Sequence, residues 1–180
     1  MVWQKQGIHP AGWKQGSAEI QTAKQWINRP RNKLSQGEVA AIRAMVDMLG
    51  VPAKRVTIGE RSYESEDGEV LLAVDDIRVP GISTEVLLDG LLVWLADDWE
   101  RRYEDPPTFA KVDIGGRDVT AVTFGADDPT EYVLTSGDTA MRVRGSDEEA
   151  AVTLLQALSC RHLDVYSLVT DYLVERMPQR

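Results

Sequence analysis

Apolar residues repeat at helical spacing in two long stretches of the chain. Val39, Ile42, Val46 and Leu49 share one face, which predicts an amphipathic helix. Ser35 and Glu38 have capping-box spacing at its start, and Gly50 with Pro52 ends it.

The second stretch, roughly 84–103, predicts the most apolar helix, with Ser83 as its N-cap and Pro106-Pro107 after its end. Its widest apolar face is predicted to contain Leu88, Leu91, Leu92, Leu95, Trp99 and Tyr103, with Leu87 and Trp94 beside it.

Alternating and β-branched runs predict a β-hairpin followed by four short strands. The hairpin occupies about 56–79, with its turn at Asp67-Gly68. Asp75-Asp76, near its end, is interpreted as a solvated turn. The later strands flank Gly115-Gly116 and the 136–138 turn, so neighbouring strands should be antiparallel.

The C-terminal part predicts two more helices. Ser146 and Glu149 form a second capping box, and the apolar face that follows is Ala151, Leu154, Leu155 and Leu158. Asp164 is placed to cap the last helix. Strands and helices in runs predict an α+β fold, with a mostly antiparallel sheet, hairpin plus four-strand meander, packed by helices on one face.

The first 34 residues have a different character. Residues 1–16 show no period and contain three glycines and a proline, so an extended N-terminal arm is predicted. Ser17 is placed to cap a short helix with Ile20, Ala23 and Ile27 on one side. We therefore predict two units: an arm at 1–34 and a single α+β domain at 35–180.

Four stretches between about Val39 and Ser159 resemble an uncharacterised domain of actinobacterial and chloroflexi-type lipoproteins. They are Ala41–Pro52, Ile77–Leu88, Val112–Thr123 and Tyr132–Leu158. Their motifs are turn and cap patterns, so the resemblance implies a fold and carries neither catalytic residues nor a function. Such relatives are exported, whereas this chain shows no signal peptide or lipidated cysteine near its start.

Charge is distributed unevenly along the chain. The net charge is −9, but residues 1–55 carry +6 and residues 56–180 carry −15. A single cysteine excludes an internal disulfide, and with only two histidines a structural zinc site is not expected. The longest apolar stretch, 86–96, is too short to span a bilayer. We predict a cytoplasmic location or one in an assembled particle, and an extracytoplasmic one only if a signal has been removed.

The arm alternates basic and aromatic residues, which suits docking onto a partner protein or a neighbouring subunit. The predicted partner-binding residues are Trp3, Lys5, Trp13, Lys14, Lys24, Trp26, Arg29, Arg31 and Lys33. Two alternatives stay open. The arm can pack on its own acidic domain, or it can bind nucleic acid, which ranks last because the acidic remainder repels phosphate.

No P-loop, dinucleotide-binding or nucleophile-elbow motif occurs, so we predict a non-enzymatic interaction or assembly module without a cofactor. One alternative is a metal-dependent enzyme using Asp97, Asp98 and Glu100, within an acidic cluster at 97–105. Ion pairs four residues apart on a helix explain that cluster equally well. Another alternative is an acidic inhibitor that mimics nucleic acid. Cys160 with His162 lacks the third group that a catalytic pair needs.

Overall fold

The computed structural model describes residues 12–29, 36–100, 106–125 and 128–158, with the side chains of 97–100 excepted. Within these residues seven strands form one sheet, in which all neighbours are antiparallel. The strands are β1 (Trp13–Thr22), β2 (Thr57–Ser65), β3 (Leu71–Arg78), β4 (Thr108–Asp113), β5 (Asp118–Thr123), β6 (Glu131–Ser136) and β7 (Thr139–Gly145). Their order across the sheet is β1-β2-β3-β7-β6-β5-β4. The α+β class, the hairpin (β2–β3) and the meander (β4–β7) are thus confirmed.

Helices cover both faces of this sheet. They are α1 (Ala23–Ile27), α2 (Gln36–Leu49), α3 (Thr84–Glu100) and α4 (Glu148–Leu158). Helices α1 to α3 share a hydrophobic core with one face, and α4 shares a second core with the other. The prediction of helices on one face was wrong because the central strands are apolar on both sides. In β3, for example, Val74 and Ile77 enter different cores.

The α2–α3 contact depends on a glycine. A Cβ at Gly90 would lie 2.6 Å from Cδ2 of Leu49, so only glycine allows this approach. The buried stripe of α3 is Leu87, Leu91, Trp94 and Leu95, while Leu88 and Leu92 are only partly buried. The predicted apolar face is therefore rotated from the observed one, because nearly every position around this helix is apolar and the pattern alone fixes no direction.

The predicted Gly115-Gly116 turn and Ser83 cap are confirmed, and the predicted cap of α4 is corrected. Gly115 and Gly116 have φ of 65° and 79°, as a two-residue type I′ hairpin requires. The Ser83 hydroxyl accepts the Val86 N–H at 3.4 Å, which confirms that cap. For α4, however, the cap is Asp147, whose carboxylate accepts the Ala150 N–H at 2.8 Å. The helix thus begins one residue later than the predicted Ser146 box, and the charge of the Asp147 carboxylate is favourable at a helix N-terminus.

The segment predicted to begin a helix at Ser17 is instead strand β1. It pairs with β2, so Trp13–Thr22 belongs to the same sheet as the rest of the chain. Helix α1 starts only at Ala23, after a capping box made by Thr22 and Gln25. Ile20 belongs to β1, whereas Ala23 and Ile27 belong to α1, so the helical spacing of these three residues does not reflect a single helix.

Candidate functional site

The predicted arm residues that the structure describes are tied to the chain's own body. Trp13 is 9% exposed and Trp26 is 4% exposed, each in a different core. Arg29 stacks at 3.9 Å over the Trp26 ring and pairs with Glu19. This matches the alternative in which the segment packs on its own domain, at least for these residues.

The two lysines of this segment differ from each other. The Lys14 ammonium donates to the Glu66 carbonyl at 3.0 Å, whereas Lys24 is exposed on α1. Trp3, Lys5, Arg31 and Lys33 lie outside the described residues, so their docking role stays a prediction.

Most of the acidic cluster at 97–105, the alternative metal site predicted from the sequence, lies outside the described residues. The side chains of Asp97, Asp98 and Glu100 are not described, and neither are residues 101–105. Ser35, Cys160, His162 and the helix predicted from Asp164 likewise lie outside. Within the described ranges, no group of three or more His, Cys, Asp or Glu residues is arranged to hold a metal ion.

Asp76 is buried in β3 rather than placed in a solvated turn, which corrects the prediction for Asp75-Asp76. Its two carboxylate oxygens accept from Nε and Nη2 of Arg61 at 2.8 and 2.9 Å. Arg61 Nη1 also donates to the Tyr63 hydroxyl at 2.9 Å. Burial raises the pKa of the Asp76 carboxyl to about 6, and the Arg61 charge limits that rise. Arg61 and Asp76 are both almost fully buried, so this ion pair links β2 to β3 away from solvent.

Asp75 takes part in a chain of ion pairs on the opposite face of the sheet. Its Oδ2 accepts from Arg142 Nη1 at 3.5 Å and from Arg144 Nε at 3.2 Å. Arg142 Nε also donates to Glu131 at 2.6 Å, and Arg144 lies 3.5 Å from Glu60.

These five charged residues join four neighbouring strands, β2, β3, β7 and β6. The Asp75 charge raises the pKa of the Arg144 guanidinium. The guanidinium carbon of the other arginine, Arg142, lies 5.6 Å from the centre of the Trp94 ring of α3. A sequence signal for both buried networks existed: aspartates inside an apolar strand, with arginines on the strands beside them. Such charges are buried only when paired.

The outer edge of β4 is exposed to solvent within the described chain. Phe109, at 43% exposed, is accompanied by exposed Ala110, Lys111 and Asp113. Both faces of this strand therefore reach solvent, and no described strand pairs with its outer side. The pairing of β4 with β5 continues without a shift from Thr108 to Asp113, so the edge is regular.

The backbone groups that face outward can be derived from the hairpin. The Ile114 N–H donates to the Arg117 carbonyl at 3.0 Å, so these two residues form a hydrogen-bonded pair next to the Gly115-Gly116 turn. Hydrogen-bonded pairs alternate along an antiparallel ladder, so Val112 and Ala110 also direct their backbone groups to β5. The N–H and C=O groups of Phe109, Lys111 and Asp113 consequently point away from the sheet.

The opposite edge, β1, is irregular. Gly16 and Ser17 together oppose Ser62 in a β-bulge, where the Ser62 hydroxyl accepts the Ser17 N–H at 2.9 Å. A bulge is one of the ways in which proteins block pairing at an edge strand. Of the two described edges, β4 is the one whose pairing runs without a shift.

Comparison with known proteins yields no match: no family model, curated protein or solved structure is similar to this chain. The resemblance to the lipoprotein domain therefore stays a prediction. Among the described helices, none is long and apolar enough to cross a membrane.

Proposed function

We propose that the chain is a non-enzymatic interaction or assembly module that accepts an extended strand of a partner at the edge of β4. The single observation that carries this proposal is the regular, solvent-exposed β4 edge, with three residues whose backbone groups face outward. Strand addition obtains affinity from main-chain hydrogen bonds and specificity from alternate side chains.

The contrast with β1 supports this choice of edge. On the β1 side the ladder is interrupted by the bulge at Gly16 and Ser17, whereas the pairing along β4 runs without a shift. The Trp13 and Trp26 side chains are buried in the chain's own hydrophobic cores. We therefore place the docking surface at the β4 edge and not at these two indoles.

A proline at position 111 tests the proposal, because the Lys111 N–H faces outward and takes no part in the pairing with β5. Lys111→Pro should remove a docking donor while leaving the sheet intact. Lys111→Ala is the matched control, since it removes the same side chain but keeps the N–H. Thermal unfolding of both variants verifies that they fold.

The measurement is quantitative co-purification of partners from the native source with wild type and both variants. We expect Lys111→Ala to retain the partners and Lys111→Pro to lose most of them. Equal retention by the two variants would contradict docking at this edge.

A further inference from the structure

The side chains along β4 alternate between two kinds of surface. Ala110, Val112 and Ile114 lie on the face that α4 covers, and Val112 and Ile114 pack partly against that core. Phe109, Lys111 and Asp113 lie on the other face, and all three are exposed. One face of the edge is thus apolar, and the other carries one positive and one negative charge two residues apart.

We infer that β4 pairs antiparallel with β4 of a second copy of this chain, about a two-fold axis at Val112. This inference rests on the proposed function and names its partner. In this register Lys111 lies opposite Asp113 of the second copy, and Asp113 lies opposite Lys111. Val112 then faces its own counterpart, and Ala110 faces Ile114.

Charge complementarity selects this register over its neighbours. A two-fold axis at Lys111 would place two lysines directly opposite each other, which is unfavourable. An axis at Ala110 would place Lys111 opposite Phe109 and leave Asp113 without a cation. Of these three registers, the axis at Val112 is the one that places each Lys111 opposite an Asp113; it also places Val112 opposite Val112 and Ala110 opposite Ile114, whereas Phe109 comes to lie opposite Gly115.

The backbone agrees with the same register. Lys111 and Asp113 both have outward N–H and C=O groups, so each Lys111–Asp113 pair can exchange two main-chain hydrogen bonds. Val112 then forms a non-hydrogen-bonded pair with its counterpart, the arrangement in which side chains approach most closely. Asp113 Oδ1 accepts the Gly116 N–H at 3.2 Å, which leaves Oδ2 for the lysine of the second copy.

Each protomer has one regular edge and one bulged edge, so this pairing uses up the regular edge of both copies. The product is a closed dimer with a continuous sheet and bulged strands at both ends, as two-fold symmetry requires. The paired segment is short, so a weak dimer that depends on concentration is expected.

Charge reversal gives a test that depends on the register. Lys111→Asp places two carboxylates opposite each other at both symmetric positions, and Asp113→Lys places two ammonium groups there. Each single variant should raise the dissociation constant of the dimer about tenfold, from a change of roughly 0.7 kcal/mol at each of two pairs. The double variant Lys111→Asp/Asp113→Lys exchanges the charges and should restore dimerisation.

Sedimentation velocity of the full chain over a range of concentrations is the measurement. An equimolar mixture of the two single variants is the most discriminating sample. In it, a chain with aspartate at positions 111 and 113 can pair with a chain that has lysine at both positions. The mixture should dimerise at least as well as wild type although neither variant does so alone. Asp113→Asn, which keeps the acceptor for Gly116, separates loss of charge from loss of the turn.

The outcomes separate the inference from the proposed function. If wild type stays monomeric at all concentrations, or if the mixture does not associate, the homodimer is overturned. Loss of native partners by Lys111→Pro would still support strand docking in that case. If wild type is monomeric and Lys111→Pro also keeps every partner, both proposals fail.

Discussion

The indoles of Trp13 and Trp26 fill space in two different hydrophobic cores, one on each face of the sheet. Their role in the described chain is therefore packing. Truncation of a buried tryptophan costs the transfer free energy of the ring and leaves a cavity that the surroundings fill only in part.

We expect Trp13→Ala and Trp26→Ala each to lower the free energy of unfolding by about 3 kcal/mol or more. Lys24→Ala, at an exposed position of the same segment, should change it by less than about 0.5 kcal/mol. Urea denaturation measures all three. If the tryptophan variants are as stable as wild type, the two indoles are free for a partner as the sequence first suggested.

Asp76 links stability to pH at the residue scale. Its pKa is raised from 3.8 to about 6 in the folded chain, so the folded state holds a proton that the unfolded state releases between these values. The free energy of unfolding should therefore fall as pH rises through this window, by about 2 kcal/mol from Asp76 between pH 4.5 and 7.5.

Asp76→Asn should remove that part of the pH dependence, because an amide does not titrate in this range. Denaturation midpoints of wild type and variant at several pH values test this. The companion variant Arg61→Met leaves the carboxylate buried without its cation, so its loss of stability should be greater at pH 7.5 than at pH 4.5. Parallel stability–pH curves for wild type and Asp76→Asn would contradict the assignment.

At the scale of elements, the contact between α2 and α3 depends on Gly90. Alanine there would gain up to about 1 kcal/mol of helix propensity but would press its Cβ into Leu49. Because overpacking a core costs about 1–3 kcal/mol, we expect Gly90→Ala to be destabilising overall.

A double-mutant cycle with Leu49→Ala isolates this contact. With the Leu49 side chain removed, Gly90→Ala should become neutral or stabilising, since the collision is gone and the propensity gain remains. Free energies of unfolding of the four proteins give the coupling. A Gly90→Ala effect that is the same in both backgrounds would show that the close approach is not what requires glycine.

The elements that were predicted correctly have strong local signals. The Gly115-Gly116 turn and the buried face of α4 follow from positive φ and from helical spacing alone. Strand β1 lacked such a signal because it is an edge strand with a bulge at Gly16, and its few apolar residues do not alternate. This segment is a strand because it pairs with β2, whose residues lie far from it in the sequence.

The candidate site was missed for a related reason. Nothing local marks Lys111 or Asp113, and they became relevant only when the topology placed β4 at the end of the sheet. The buried Asp75 and Asp76 were interpreted as solvated because their counterions lie on other strands, more than ten residues away in sequence. Sequence reasoning recovers local structure, whereas edges and buried charges depend on the assembled sheet.

At the scale of the whole molecule, the described chain is a sheet with helices on both faces and one edge that is open. The two faces are covered by hydrophobic cores, and the β1 edge is bulged. We therefore propose that further association through main-chain hydrogen bonds takes place at β4. Because the strand order places β4 at the end of the sheet, we infer a dimer in which two β4 strands pair in a defined register.

Cysteine cross-linking tests this register most directly. In the inferred dimer the two Val112 residues form a non-hydrogen-bonded pair with Cα atoms about 4.5 Å apart, a separation that a disulfide can bridge. Ala110, on the same face and more exposed, lies far from its counterpart. In a Cys160→Ser background, Val112→Cys should form a disulfide-linked dimer under mild oxidation, and Ala110→Cys should stay monomeric on a non-reducing gel. Equal cross-linking of the two variants, or none with Val112→Cys, would contradict the account.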